Sequence, residues 1–273
     1  MVDRRWFAGS RVRGKSDAID ALAVARAAVR EPDLPIARLE GESRELRLLV
    51  DHREDLVAER TRIQQRLRWH LHELVPELEL PAGCLDRQVW LERLQRRLAR
   101  REQTVQVRIC RELLARCREL SRRAAELERE LRLLVSAQAP ALLELPGCGA
   151  LTAAKLIGET AGSDRFTSDA QLAMHAGAAP LPASSGAKQR HRLNRSGNHQ
   201  LNCALHRIAV TQGRAHAPAQ EYLTRKQREG HTRKEALRCL KRHLARVVHR
   251  TLRAIEEEKM RSTNGPVAVP ALT

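Results

Sequence analysis

Two aspartates three residues apart, Asp17 and Asp20, open an alanine-rich stretch that reads DAIDALAVARAAVR. Residues at i and i+3 share a helix face, so both carboxylates can address one divalent cation such as Mg2+. The same residues also suit plain capping, because Ser16 is a good N-cap and acids favour the first helical turn. A second group lies at Ser184-Ser185-Gly186. A serine beside a glycine turn has little steric cover, so its hydroxyl can meet a substrate. Lys188, Arg190, Arg192 and Arg195 follow at close spacing, and such cations would bind phosphates and stabilise charge developing in phosphoryl transfer. Ser-Ser-Gly is also an ordinary loop sequence. The third group is LPGCGALTAAKLIGE, residues 145–159. Gly147 and Gly149 would let backbone N–H groups approach a phosphate at the start of a helix. The stretch fits a helix-hairpin-helix turn and a plain corner between helices equally well.

These groups need elements to hold them. The spacing predicts a helix over 17–30 that stops before Glu31-Pro32, followed by an extended DLPIARLE linker. A long helix is expected over about 41–75, with Leu46, Leu49, Leu56, Ile63, Leu67 and Leu74 as its stripe and Arg53 and Arg60 interrupting it. Pro76 and Pro81-Ala82-Gly83 break it. A second long helical region is expected over about 86–137. Leu113, Cys117, Leu120, Ala124, Leu127, Leu131 and Leu134 follow a 4-3 spacing there, which is a coiled-coil seam. The two should fold back as an antiparallel hairpin, or a second chain could complete the seam. A spacer or dimerisation arm is the expected role. Near 138–140 the heptads stop, and Gly, Pro, Ser and Ala increase. Ser196-Gly197-Asn198 should cap a helix carrying Leu201, Leu205 and Ile208. Residues 261–273 look like a disordered tail.

Composition bounds the class. Aromatics are only 2 % of the 273 residues, so the core must be Leu, Val, Ile and Ala, which suits helices packed on helices. Net charge is +17. Residues 187–250 hold 16 Lys or Arg and 3 Asp or Glu, a net of +13. A polyanion is the expected partner, with nucleic acid the default. The six cysteines include no C-x-x-C pair, which excludes zinc-ribbon spacing. No apolar run approaches 18 residues, and no signal peptide is visible at Met1. The expected location is the cytoplasm, where these thiols would stay reduced.

Taken in order, KSDAIDALAVAR, the helical hairpin, LPGCGALTAAKLIGE and SSG…RSGNHQLNCAL resemble the DEDD transposases of the insertion-sequence-110 (IS116/IS110/IS902) family over nearly the whole chain. The resemblance implies a mainly α chain: a remnant of a RuvC-like nuclease domain at 1–35, a coiled-coil arm at 36–138, a transposase C-terminal domain at 139–260 and a tail at 261–273. It implies cleavage and rejoining of double-stranded DNA, guided by a structured bridge RNA. Four acids would bind Mg2+, with Asp17 and Asp20 matching the last two. Ser185 would be the nucleophile, with Ser184 the neighbouring alternative. Gly147, Gly149, Lys188, Arg190, Arg192 and Arg195 would contact nucleic acid. A homodimer or tetramer would form through the coiled coil, and no membrane is involved.

One departure matters. The first Asp and the Glu of the four should lie on upstream strands, and only 16 residues precede Asp17. The chain is therefore expected to be truncated, to bind Mg2+ weakly and to recombine poorly alone. Ile19, Leu22 and Val24 would lose their packing partner. A non-catalytic nucleic-acid-binding protein, using the 147–149 turn and the basic segment 232–253, is the rival from another class. A coiled-coil scaffold without nucleic acid is a weaker one, opposed by the basic segment.

Overall fold

The computed structural model describes residues 17–31, 33–183 and 191–263. They are mainly helical. The chain divides into two compact units, one of residues 40–159 and one of residues 1–39 with 160–273.

The 40–159 unit is built on two long helices, α2 (Glu42–Leu74) and α4 (Val105–Gln138). Arg53 pairs with Glu128, Arg60 with Ser121, and Gln106 with Glu73. One partner number falls as the other rises, so the helices run antiparallel. The stripe leucines explain the pairing: Leu56, Ile63 and Leu67 meet Leu113, Cys117 and Leu120 in one core. Each buried leucine contributes about 1.5–3 kcal/mol. Val50, Leu71 and Val135 are buried as well, whereas Leu49, Leu74, Leu127 and Leu134 are half-buried. Arg53 and Arg60 do not break the stripe. They reach across it to Glu128 and Asp86.

The second helical region is two helices rather than one. Helix α3 (Gln88–Ala99) ends, and Thr104 starts α4 by accepting a hydrogen bond from the Val107 N–H. The break is held by side chains: Gln103 donates to the Leu98 carbonyl and Arg101 to the Leu74 carbonyl. Leu91, Leu94 and Leu98 of α3 join the common core, as do Cys84 and Leu85 of a short 3-10 turn. Arg68 pins the preceding loop by donating to the carbonyls of Leu80 and Pro81. After Pro140 the chain makes one turn of helix, α5 (Pro140–Leu143), then a tight turn into α6 (Ala150–Thr160).

The other unit contains α1 (Asp17–Arg30), α7 (Asp169–His175), a two-stranded antiparallel ribbon of β1 (Leu181–Pro182) and β2 (His191–Arg192), then α8 (His199–Ala215), α9 (Ala217–Arg228) and α10 (Arg233–Thr263). Helix α10 packs against α7, α8 and α9. Its face of Ala236, Leu240, Leu244, Val248 and Leu252 is buried, the i, i+4 spacing of an amphipathic helix. A Thr232–Glu235 capping box starts it,. It runs three residues into the segment expected to be tail, ending at Thr263; residues 264–273 lie outside the described residues. Glu256, near its end, accepts from the Ser163 N–H, the Ser163 hydroxyl and the Asp164 N–H. Helix α1 buries none of its residues. Leu22 and Val24 are exposed and Ile19 is half-buried.

Candidate functional site

The ribbon is the centre of the candidate site. Leu181 pairs with Arg192 and Pro182 with His191, so the two strands flank residues 183–190 in the sequence. Ser184, Ser185, Gly186, Lys188 and Arg190 lie outside the described residues. Arg192 and Arg195 are described, and both are exposed.

The base of the ribbon is fixed by a dense polar network. Asn194 is buried; its amide donates to the Met174 carbonyl, and its carbonyl oxygen accepts from the Ser196 N–H and hydroxyl. Asn198 caps α8 by accepting from the Leu201 N–H, as its type and place predict, and its own N–H donates to the His175 carbonyl at 2.6 Å,. Two glycines allow the crossing beneath. A Cβ at Gly197 would lie 2.2 Å from the Gly177 nitrogen, and Gly177 itself has φ +64°. That is why the stretch reads Arg-Ser-Gly-Asn there: only glycine permits the backbone approach.

Beside the ribbon lies a cavity of about 660 Å3. Arg192, Lys226, Arg238, Lys241 and Arg242 line it, against two acids, Glu229 and Glu235. His191, His231 and His243 line it too. Burial and the cations around His243, Arg246 first, hold its pKa below the ordinary value. Lys241 is only 5 % exposed, and its ammonium donates to the Asn202 side-chain oxygen at 2.7 Å. Asn202 in turn donates to the Ala176 carbonyl. Burial, followed by Arg238, lowers the Lys241 pKa.

Asp17 and Asp20 are exposed in the first turn of α1. Among the described residues no group of three or more His, Cys, Asp or Glu gathers where it could hold a metal ion. Two exposed carboxylates from one helical turn leave most of an octahedral shell to water, so they do not by themselves make a Mg2+ site. The Gly147 and Gly149 turn lies in the other unit. Gly147 takes φ +82°, Cys148 is buried, and Gly149 is exposed with nothing within 4 Å of an added Cβ. The first of the two helices flanking this turn, α5, is a single turn long.

Sequence reasoning missed Lys241, Asn194 and Asn202. Lys241 carried a signal: it falls within the i, i+3, i+4 stripe of Ala236, Leu240, Leu244 and Val248, where a solvated lysine would not sit. The asparagines carried none, because their partners are backbone groups 20 and 26 residues away.

Comparison with known proteins bears on the whole site. A family model described as Transposase IS116/IS110/IS902 family matches residues 139–224, and a second transposase model, of the DEDD class of IS110, matches 2–76. A protein of insertion element IS110 from Streptomyces coelicolor is 30 % identical across 88 % of this chain and 71 % of its own length. The chain belongs to the IS116/IS110/IS902 transposase family. A protein of insertion element IS116 from Streptomyces clavuligerus is similar at 28 % identity over the same shares of both chains. The first family match takes in the 147–149 turn, the ribbon and the Asn194–Asn202 network; the second takes in α1 and its two aspartates. As a transposase the chain acts on DNA, for which the basic groups around the ribbon are suited. No helix among the described residues is long and apolar enough to cross a membrane.

Proposed function

We propose that this transposase cleaves and rejoins the DNA of an insertion sequence by serine attack. The Ser185 oxygen would bond to phosphorus as one P–O bond of the phosphodiester breaks. The serine proton is released and the departing sugar oxygen takes one up, so the step balances and reverses to rejoin the strand. Ser184 is the neighbouring candidate. Lys188, Arg190, Arg192 and Arg195 would hold the attacked phosphate, and the Gly147–Gly149 turn would contact the backbone elsewhere. The observation that carries this reading is the family match across 139–224, with the Ser-Ser-Gly stretch flanked by paired strands on a glycine-tight base. The family resemblance further suggests a bridge RNA as guide, a coiled-coil dimer or tetramer, and a four-acid metal site to which Asp17 and Asp20 belong. Asp17 and Asp20 would supply two carboxylates to such a site.

The test is prolonged incubation with element-end DNA, target DNA and bridge RNA, followed by denaturation and mapping of any protein–DNA adduct by mass spectrometry. An adduct on Ser185 that Ser185→Ala abolishes is the expected result. An adduct elsewhere, or none at either serine, refutes serine attack at this loop.

A further inference from the structure

The cavity beside the ribbon holds a buried cation with no acidic partner among the described residues. Lys241 makes no ion pair among the described residues; its one hydrogen bond is to the neutral Asn202 side chain. An ammonium has three donors, and a buried charge without a counter-charge is costly. Arg192, at the same cavity, also makes no ion pair among the described residues, whereas Lys226, Arg238 and Arg242 are answered by Glu229, Glu235 and Asp169. The site is thus short of negative charge at two points. Another part of its wall is apolar: Ala178, Pro180, Leu193, Tyr222 and Cys239 line it. A volume near 660 Å3 is that of a pocket for one ligand of nucleotide size. It is far too small for a duplex, whose major groove alone is about 12 Å wide.

We propose that this cleft seats one unpaired nucleotide of a DNA or RNA strand, its phosphate on Lys241 and its base on the apolar wall at Tyr222. The inference rests on the nucleic-acid role proposed above but not on serine attack. An anion supplies the missing counter-charge to Lys241, and an apolar wall that carries the Tyr222 ring accepts a base of any kind, so recognition is tolerant of sequence. A strand would have to be unpaired, or a base turned out of a duplex, to enter.

The test uses the full chain carrying Ser185→Ala, so that binding is read without chemistry. Oligothymidine, oligouridine and a duplex of equal length are compared by fluorescence anisotropy, and oligomers bearing 4-thiothymidine or 4-thiouridine are photocrosslinked and mapped. Single strands should bind more tightly than duplex, with crosslinks at Tyr222 or Cys239. Lys241→Met should weaken single-strand binding about 10- to 100-fold, the loss of a charge-assisted contact, and leave duplex binding within about twofold. The DNA and RNA arms identify which strand the cleft takes. A folded Lys241→Met chain that binds single strands within twofold of the parent overturns the proposal. So does a crosslink map that avoids the cleft. Should Lys241→Met fail to fold, Tyr222→Leu on the cavity wall and the crosslink map decide the same question. Loss of binding in these variants without any adduct on a serine in the unsubstituted chain keeps the cleft and removes serine attack; the reverse pattern removes the cleft alone.

Discussion

The crossing of Gly177 and Gly197 should be the most sensitive point at the base of the ribbon, and Gly197→Ala tests it. The added Cβ would lie 2.2 Å from the Gly177 nitrogen, 2.5 Å from its Cα and 2.8 Å from the His175 carbonyl oxygen. All three are backbone atoms, so no side chain can rotate away. Relief requires the two segments to part, which costs about 1–3 kcal/mol as overpacking. Parting also stretches the 2.6 Å bond from the Asn198 N–H to the His175 carbonyl, worth about 1 kcal/mol. The expected loss is about 2–4 kcal/mol, a fall in Tm of roughly 6–12 °C for a unit of this size. Gly213→Ala is the control. Its Cβ would meet only the Leu223 Cδ1 at 3.0 Å, the end of a flexible side chain, and alanine gains up to about 1 kcal/mol inside a helix. It should be neutral or stabilising. Thermal denaturation by circular dichroism reads both, and amide exchange at Asn198 localises the effect. A Gly197→Ala chain within 0.5 kcal/mol of the parent (roughly the scatter of a surface substitution) would refute the close-approach argument.

Other substitutions probe the remaining elements. Glu256→Gln weakens the charge-assisted bonds from Ser163 and Asp164 and should cost about 2 kcal/mol, with faster amide exchange at both residues; unchanged exchange would refute that anchoring. The Arg246 hydrogen bond holds the Asp169 pKa below the ordinary carboxylate value. A lowered carboxylate pKa stabilises the fold above the unfolded value and is lost as pH falls through the folded one, so Asp169→Asn should flatten the decline in stability below about pH 4; an unchanged slope would count against it. Burial pushes the Cys117 and Cys148 thiols up to about 11 and about 12. A raised thiol pKa adds stability that is full below the unfolded value and lost as pH rises. At pH 8, alkylation should therefore reach half-buried Cys203 and Cys239 first, and early labelling of Cys148 would be the contrary result. Gly147→Ala forces alanine to φ +82° and should cost about 1–2 kcal/mol. Gly149→Ala meets nothing and should leave Tm unchanged while weakening DNA binding, if that turn contacts phosphate as proposed; equal affinity would remove the turn from the interface.

Much of the helical framework was legible because its signals are local. The Leu56–Leu67 and Leu113–Leu120 stripes repeat at helical spacing, and both are buried in the structure. Asn198 caps the helix it was expected to cap. The break at 100–104 was not legible, because Gln103 and Arg101 hold it through carbonyls of Leu98 and of Leu74 on another helix. Arg53 and Arg60 look like faults in a leucine stripe until Glu128 and Asp86 are placed opposite them.

For the site, the sequence by itself determined the charge, the order of the motifs and the family, since these are properties of composition and of residue types along the chain. It marked Asp17 and Asp20 as neighbours on one helical turn, since i and i+3 is a local relation. Only the tertiary structure decided that Lys241 is a buried cation at a cavity, that Asn194 and Asn202 tie the ribbon's base to the C-terminal end of α7, and that Gly177 and Gly197 touch. Those relations join residues 20 to 39 positions apart. Their energy comes from burial and backbone proximity that no local pattern encodes.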